Sequence, residues 1–208
     1  MKNLFYYAFW KKYCKWLSEN LNIHSQTAES LLFLKDNVNE PFIILKHDVE
    51  TKPSKALKLA RIEAKFNHKG SYYFQAYLLN KARNINIMKK IQDLGHEVSY
   101  HYDVLDANDG DLEKAIDEFR FYVDQFEKNG FKIHTVCQHG NPIKIREGYA
   151  SNRDFFNSKI VQSEFFDISD IMVNFKSKLK KRYSYISDSG YQWHSVENPE
   201  KHDDKQKS

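Results

Sequence analysis

Three short stretches carry residues able to do chemistry. "LKHDVE", Leu45 to Glu50, ends an apolar run in His47, Asp48 and Glu50; "GHEVSYHYD" holds His96, His101 and Asp103; "TVCQHGNP" holds His139. Side chains alternate along a strand, so Asp48 and Glu50 share one face and His47 takes the other. Two carboxylates on one face hold a divalent ion between them, or act as base and ligand with their pKa values pushed apart. By the same alternation His101 and Asp103 share a face, while His96, an odd number of residues from His101, points the opposite way. Thr135, Cys137 and His139 alternate together. A mixed Asp/His set suits zinc or a similar first-row ion.

Each residue also has a plainer reading. A lone His near a strand end is commonly a hydrogen-bonded structural group, and His96 beside Gly95 fits that role at a helix-to-strand turn. Glu50 also suits an acid at a helix entry. Tyr72, Tyr73, Tyr100 and Tyr102 read as packing residues, and "KSKLKKR", Lys176 to Arg182, as a solvated face. Convergence favours the functional reading, since Asp48, His101 and His139 fall at the same end of three separate strands.

The elements that must position these residues follow from periodicity. "FIILKHDV", "SYYFQAY", "HEVSYHYD" and "KIHTVCQH" read as strands. Between them, "SKALKLARIEAKFNHKG" reads as a helix with Ser54 as N-cap and Gly70 as stop. "NINIMKKIQDLG" is a second helix ending at Gly95, and "DLEKAIDEFRFYVDQFEKNG" a third. Strand and helix alternate with short connections, which predicts βα units and a parallel sheet, either doubly wound or closed into a barrel. In such folds the strands' C-terminal ends open into the functional crevice. Beyond Pro142 the pattern weakens. "KIVQSEFFDIS" and "YSYISDS" read as strands, "YASNRDFFNS" as a loop or short helix, and 195–208 as a flexible tail. Upstream, 1–40 reads as a helical segment packing on the body. Within it "SLLFLKDN" forms a short helix and "FWKKYCKWL" an amphipathic helix, for which a membrane-surface role is the lesser reading.

A chain of 208 residues suits one core. With 32 basic and 28 acidic residues and a net charge of +4, the near balance argues against a strong field for nucleic acid or an anionic membrane. Two distant cysteines, Cys14 and Cys137, encode neither a disulfide framework nor a zinc finger, which fits a reducing compartment. No phosphate-cradling glycine motif, transmembrane run or leader pattern occurs, so a cytoplasmic location is expected.

Taken together, "FIILKHDVE…KALKLARIEAKFN…GSYYFQ…IQDLGHEVSYHYD…CQHGNP…DISD…YISDSGYQW" resembles the polysaccharide deacetylases, the nodulation protein B homology family, in a divergent branch with a His-Asp-Val-Asp signature associated with capsule and surface-polysaccharide synthesis. The likeness spans residues 41–194. It implies a distorted (β/α) barrel with fewer than eight strands, shortened at the C-terminus, and a metal-dependent hydrolase, zinc being the expected ion, that removes acetyl groups from a sugar or glycan intermediate through an amide or ester bond. In the family one Asp and two His hold the metal, a neighbouring Asp accepts the water's proton, and a later His protonates the leaving group.

Carried onto this chain, Asp48 falls on the acidic pair of the first strand and His101 on the first His of the paired-His motif. That makes Asp48, His101 and Asp103 the expected metal ligands and Asp48, Glu50 and His139 the expected catalytic residues. Two positions depart from the family. The partner of Asp48 comes from Glu50 or is absent, and Leu105 stands where the second His of the pair belongs, leaving Asp103, Asp106 or His139 to substitute. Leu105 and the expected shortening at the C-terminus support a second reading, an inactive deacetylase-like scaffold or binding protein in polysaccharide biosynthesis. A third is an unrelated metal-dependent hydrolase on the same architecture.

Overall fold

The computed structural model describes residues 2–20, 24–33 and 42–175, with 186–187 and 194–195 in addition. Five strands form one all-parallel sheet in the order β1-β2-β3-β4-β5: Leu45–Val49, Gly70–Phe74, Glu97–Tyr102, Thr135–Gln138 and Ser169–Asp170. Helices α1 (Lys2–Asn20) and α2 (Ala28–Phe33) precede β1. Along the sheet follow α3 (Pro53–Lys65), α4 (Ala82–Asp93), α5 (Val104–Ala107), α6 (Leu112–Lys128), α7 (Arg153–Asn157) and α8 (Lys159–Glu164). A separate antiparallel pair joins β6 (Ile186–Ser187) to β7 (His194–Ser195). The strand order runs one way without reversal, so the main sheet is not doubly wound.

The two faces of the sheet differ in chemistry. Val49, Tyr72, Phe74, Val98, Tyr100, Tyr102 and Val136 pack with Ala60 of α3, Met88 and Ile91 of α4, and Phe119 and Phe126 of α6. The four strand tyrosines are fully buried, as their packing role predicts. Complete burial of an aromatic ring such as Phe119 contributes about 1.5–3 kcal/mol relative to leaving it exposed. The opposite face carries Lys46, Asp48, Ser71, Tyr73, Glu97, Ser99, His101, Thr135 and Cys137. It is closed toward one end by α2, Ile171 and Phe175 packing on Tyr73 and Cys137.

Several local expectations change for identifiable reasons. Pro53, not Ser54, opens α3, because its fixed φ suits the first helical position; Lys52 stands before it without a side-chain cap. That helix stops at Phe66, with Asn67 at φ +60°, and Gly70 instead begins β2. A Cβ at Gly70 would lie 2.8 Å from Glu63 Oε2 and 3.1 Å from the Leu45 carbonyl, so the strand start admits no side chain. Gly95, at φ +86°, does end α4. "KIVQSE" is the helix α8 rather than a strand: Val161 and Phe165 are buried at i,i+4 spacing while Ile160 is exposed. Only Ser169–Asp170 of that region pairs with the sheet, against β4. The run Lys176 to Arg182 and the tail after Ser195 lie outside the described residues, as does most of "YSYISDS".

Two buried carboxylates fix the body. Glu63, fully buried on α3, accepts from Trp10 Nε1 (3.0 Å), His47 Nε2 (2.7 Å) and the Tyr72 hydroxyl (2.7 Å), which ties α1, β1 and β2 to one side chain. Burial alone would raise its pKa, yet His47 and Tyr72 hold it below the usual range. Glu97 accepts from Ser71 Oγ at 2.6 Å, from the Glu29 N–H at 3.1 Å and from the Thr135 hydroxyl. Here burial wins over those hydrogen bonds and pushes the carboxyl to about 7. A pKa raised from 4.5 to about 7 stabilises the fold fully below about pH 4.5, and that contribution is lost as pH rises through 7. The loss amounts to about 3 kcal/mol. Denaturant titrations at pH 5 and pH 8 are expected to show this loss in the native sequence and a much flatter response in Glu97→Gln.

Candidate metal centre

Strand β1 runs out at Val49, β3 at Tyr102 and β4 at Gln138, all at one end of the sheet. Residues at and just past these ends form two overlapping groups that meet at His101. In one, ligand atoms of Asp48, His101 and Cys137 lie within 4.8 Å of one another; in the other, those of Glu50, His101 and His139 do. The His101 and His139 rings stand edge to face, centroids 5.2 Å apart. His139 Nε2 is 3.3 Å from Glu50 Oε1, and His101 Nδ1 is 3.9 Å from Asp48 Oδ1.

The two groups differ in their fitness for a metal. His101 Nδ1 lies 3.0 Å from the Cys137 carbonyl. A carbonyl only accepts, so Nδ1 carries the proton and Nε2 is left with the lone pair a metal needs. The ring is nearly fully buried, and that burial, opposed by Asp48, keeps its pKa below the ordinary value, so it stands neutral and ready to ligate. Two donors bound about 2.1 Å from a tetrahedral zinc are separated by roughly 3.4 Å, close to the Glu50–His139 spacing. Two imidazoles and a carboxylate make the donor set of many catalytic zinc sites.

The Asp48 group fits less well. Lys46, on the same face two residues earlier, places its ammonium 2.5 Å from Asp48 Oδ2 and supplies the positive charge there itself. The Asp48 side chain is 35% exposed toward the strand ends. Burial on its remaining sides would raise its pKa, but Lys46 and His101 together hold it low. Cys137 sits in the core, where burial and then the Asp48 charge push the thiol well above its usual pKa. An ion there would have to displace that proton, which the neutral His101 does not require.

The residues singled out from sequence therefore separate. Asp48, Glu50, His101 and His139 are brought together. Asp103 belongs to neither group: β3 ends at Tyr102 and the chain turns at Asp103 (φ −138°, ψ 25°) into α5, so strand alternation no longer governs its direction. Burial raises the Asp103 carboxyl, with the charge of His139 opposing. Leu105 is buried in the core. His47 faces away, stacked on Tyr72 and bonded to Glu63. His96 accepts from the Gly70 N–H through Nδ1 and donates to the Ala60 carbonyl through Nε2, joining α3, β2 and β3 as a neutral structural group. Its 3.6 Å approach to Glu63 is thus not an ion pair.

Three features were missed from sequence. Lys46 stands two residues before Asp48 on β1, and Cys137, on β4, two residues before His139, which follows that strand's end. The third is the clamp on the loop after β4. Asp106 binds Arg146 through both oxygens (2.7 Å each) and accepts from Asn152 Nδ2 (2.9 Å), whose amide also donates to the His139 carbonyl (3.0 Å). The His139 N–H donates to the Tyr102 carbonyl at 2.6 Å, so the backbone of this residue is held on both sides. Such partners, 40 and 46 residues from Asp106, leave no local signature.

No family model, curated protein or solved structure matches this chain.

Proposed function

We propose that the protein is a metal-dependent hydrolase that removes an acetyl group from a sugar or glycan intermediate of surface-polysaccharide metabolism. The observation that carries this reading is the convergence of Glu50, His101 and His139 at the C-terminal ends of parallel strands, beside the ionised Asp48. The resemblance of "KHDV", "GHEVSYHYD" and "HGNP" to the deacetylases supplies the substrate class. Within this reading the singly wound sheet is an arc of a distorted, incomplete barrel, its polar face turned inward, and the enzyme works in the cytoplasm on an activated or lipid-linked precursor.

Glu50, His101 and His139 would hold the ion, zinc by donor type. A divalent ion there supplies Lewis acidity, polarising an acyl carbonyl and lowering the pKa of water. Asp48, kept ionised by Lys46 and His101, orients donors of the substrate. Asp103, on the turn after β3 and close enough to His139 to feel its charge, would take the water's proton. Asn152 and Asp106 hold the loop that carries His139.

Two observations favour the scaffold reading. The Lys46 ammonium already neutralises Asp48, and Leu105 fills the place of a second motif histidine. Titrating the purified protein with zinc and with cobalt decides between them, followed by assay of acetate release from N-acetylated and O-acetylated sugars. One equivalent of bound ion and chelator-sensitive acetate release are expected. A protein that binds neither ion leaves the scaffold reading standing and ends the enzyme one.

A further inference from the structure

The near balance of charge along the chain hides a segregation in space. On α3 the exposed charged residues include Lys55, Lys58 and Arg61, and the helix's single acid, Glu63, is buried. Against it lies α1, with Lys11, Lys12 and Lys15 exposed and Glu19 as the one acid among its described side chains, 3.6 Å from Lys15. The two helices are joined by Trp10 on Glu63, by Ser18 on the Phe66 carbonyl and by Lys58 over the Tyr7 ring. On another flank, α6 carries five acids, Glu113, Asp117, Glu118, Asp124 and Glu127, against the bases Lys114, Arg120 and Lys128.

The outer side of α1 adds a second feature. Trp10, Cys14 and Leu17 bury its inner stripe, while Phe9 is 57% and Trp16 48% exposed. Phe9, Lys12 and Trp16 follow i, i+3, i+7 spacing and so share one face. A helix fixed along its inner stripe, with Phe and Trp outward among lysines, has the makeup of one that lies in a membrane interface: rings at headgroup depth, ammonium groups on anionic headgroups. No described helix is long and apolar enough to cross a membrane, so contact would be at the surface.

We infer that the α1–α3 face is a docking surface for an anionic phospholipid membrane. Charge complementarity selects the anionic surface, and the exposed Phe9 and Trp16 select lipid over a purely polar polyanion. This holds whether or not the metal centre is catalytic.

The test is co-sedimentation of the full chain with vesicles of phosphatidylcholine alone and of equal parts phosphatidylcholine and phosphatidylglycerol. Binding to the anionic vesicles only, weakened by salt, is expected. Each of Lys12→Gln and Lys58→Gln should lower partitioning about fivefold. Phe9→Ser with Trp16→Ser should lower it further while circular dichroism and metal binding stay unchanged. A blue shift of tryptophan fluorescence on binding should disappear in Trp16→Phe. Failure to bind anionic vesicles at low salt overturns the inference. So does tighter binding to a nucleic-acid duplex than to vesicles, or vesicle binding indifferent to Phe9 and Trp16.

Discussion

Replacing His101 by alanine is expected to abolish metal binding and, with it, any acetate release. His101 is the shared member of both candidate groups, and its proton is fixed on Nδ1 by the Cys137 carbonyl, so no rotation of a neighbour restores the lost nitrogen. The loss should exceed the roughly 10–100-fold that changes to groups supporting a ligand cause. His139→Ala and Glu50→Ala should follow it closely. Asp48→Asn and Cys137→Ala should instead keep binding within about tenfold, because Lys46 already meets the Asp48 charge and the buried thiol stays protonated. Calorimetric zinc titration of these five variants reads the difference directly. If Asp48→Asn loses the ion while Glu50→Ala keeps it, the centre belongs to the Asp48 group.

The largest effect on stability is expected from Glu63→Leu. The carboxylate meets an indole N–H, an imidazole N–H and a phenol in a site with no solvent exposure. Leucine would remove the shared acceptor of all three donors, and a buried donor that loses its acceptor costs about 1–3 kcal/mol. A loss of about 3–5 kcal/mol overall is the expectation, in line with breaking a buried charge network by removing one partner. Glu63→Gln retains an acceptor oxygen and should lose less. Chemical denaturation compares the two. Because the folded-state pKa of Glu63 is depressed, its contribution is present above the unfolded carboxylate pKa and falls away as pH drops through the folded value. Wild type should therefore approach the variants in acid.

The parallel sheet was legible because β2 and β3 are buried on both faces and the helices α4 and α6 keep a regular apolar stripe. The clustering of Asp48, Glu50, His101 and His139 was legible for the same reason, as parallel strands deliver their ends to one side. Asp103 was not, because alternation is a rule about strands and the strand had ended. Nor was the fitness of each group legible. It rests on the position of Lys46 and on which ring nitrogen of His101 faces a carbonyl, both set by the register of β1, β3 and β4 rather than by residue type. Helix α8 was not legible because six residues with the single buried side chain Val161, followed by Phe165 at the cap, are too few to display a period.

The one-way strand order also has a temporal meaning. When spatial order equals chain order, each strand joins at a growing edge and none has to be inserted between two already paired. Each pairing then closes a loop of a single helical crossover, a smaller loop than inserting a strand from farther along the chain would require. Glu50 follows β1, His101 lies on β3 and His139 follows β4, so the three candidate ligands are all encoded ahead of β5. The fifth strand, paired to Thr135 and Val136 at the start of β4, adds no member to that site.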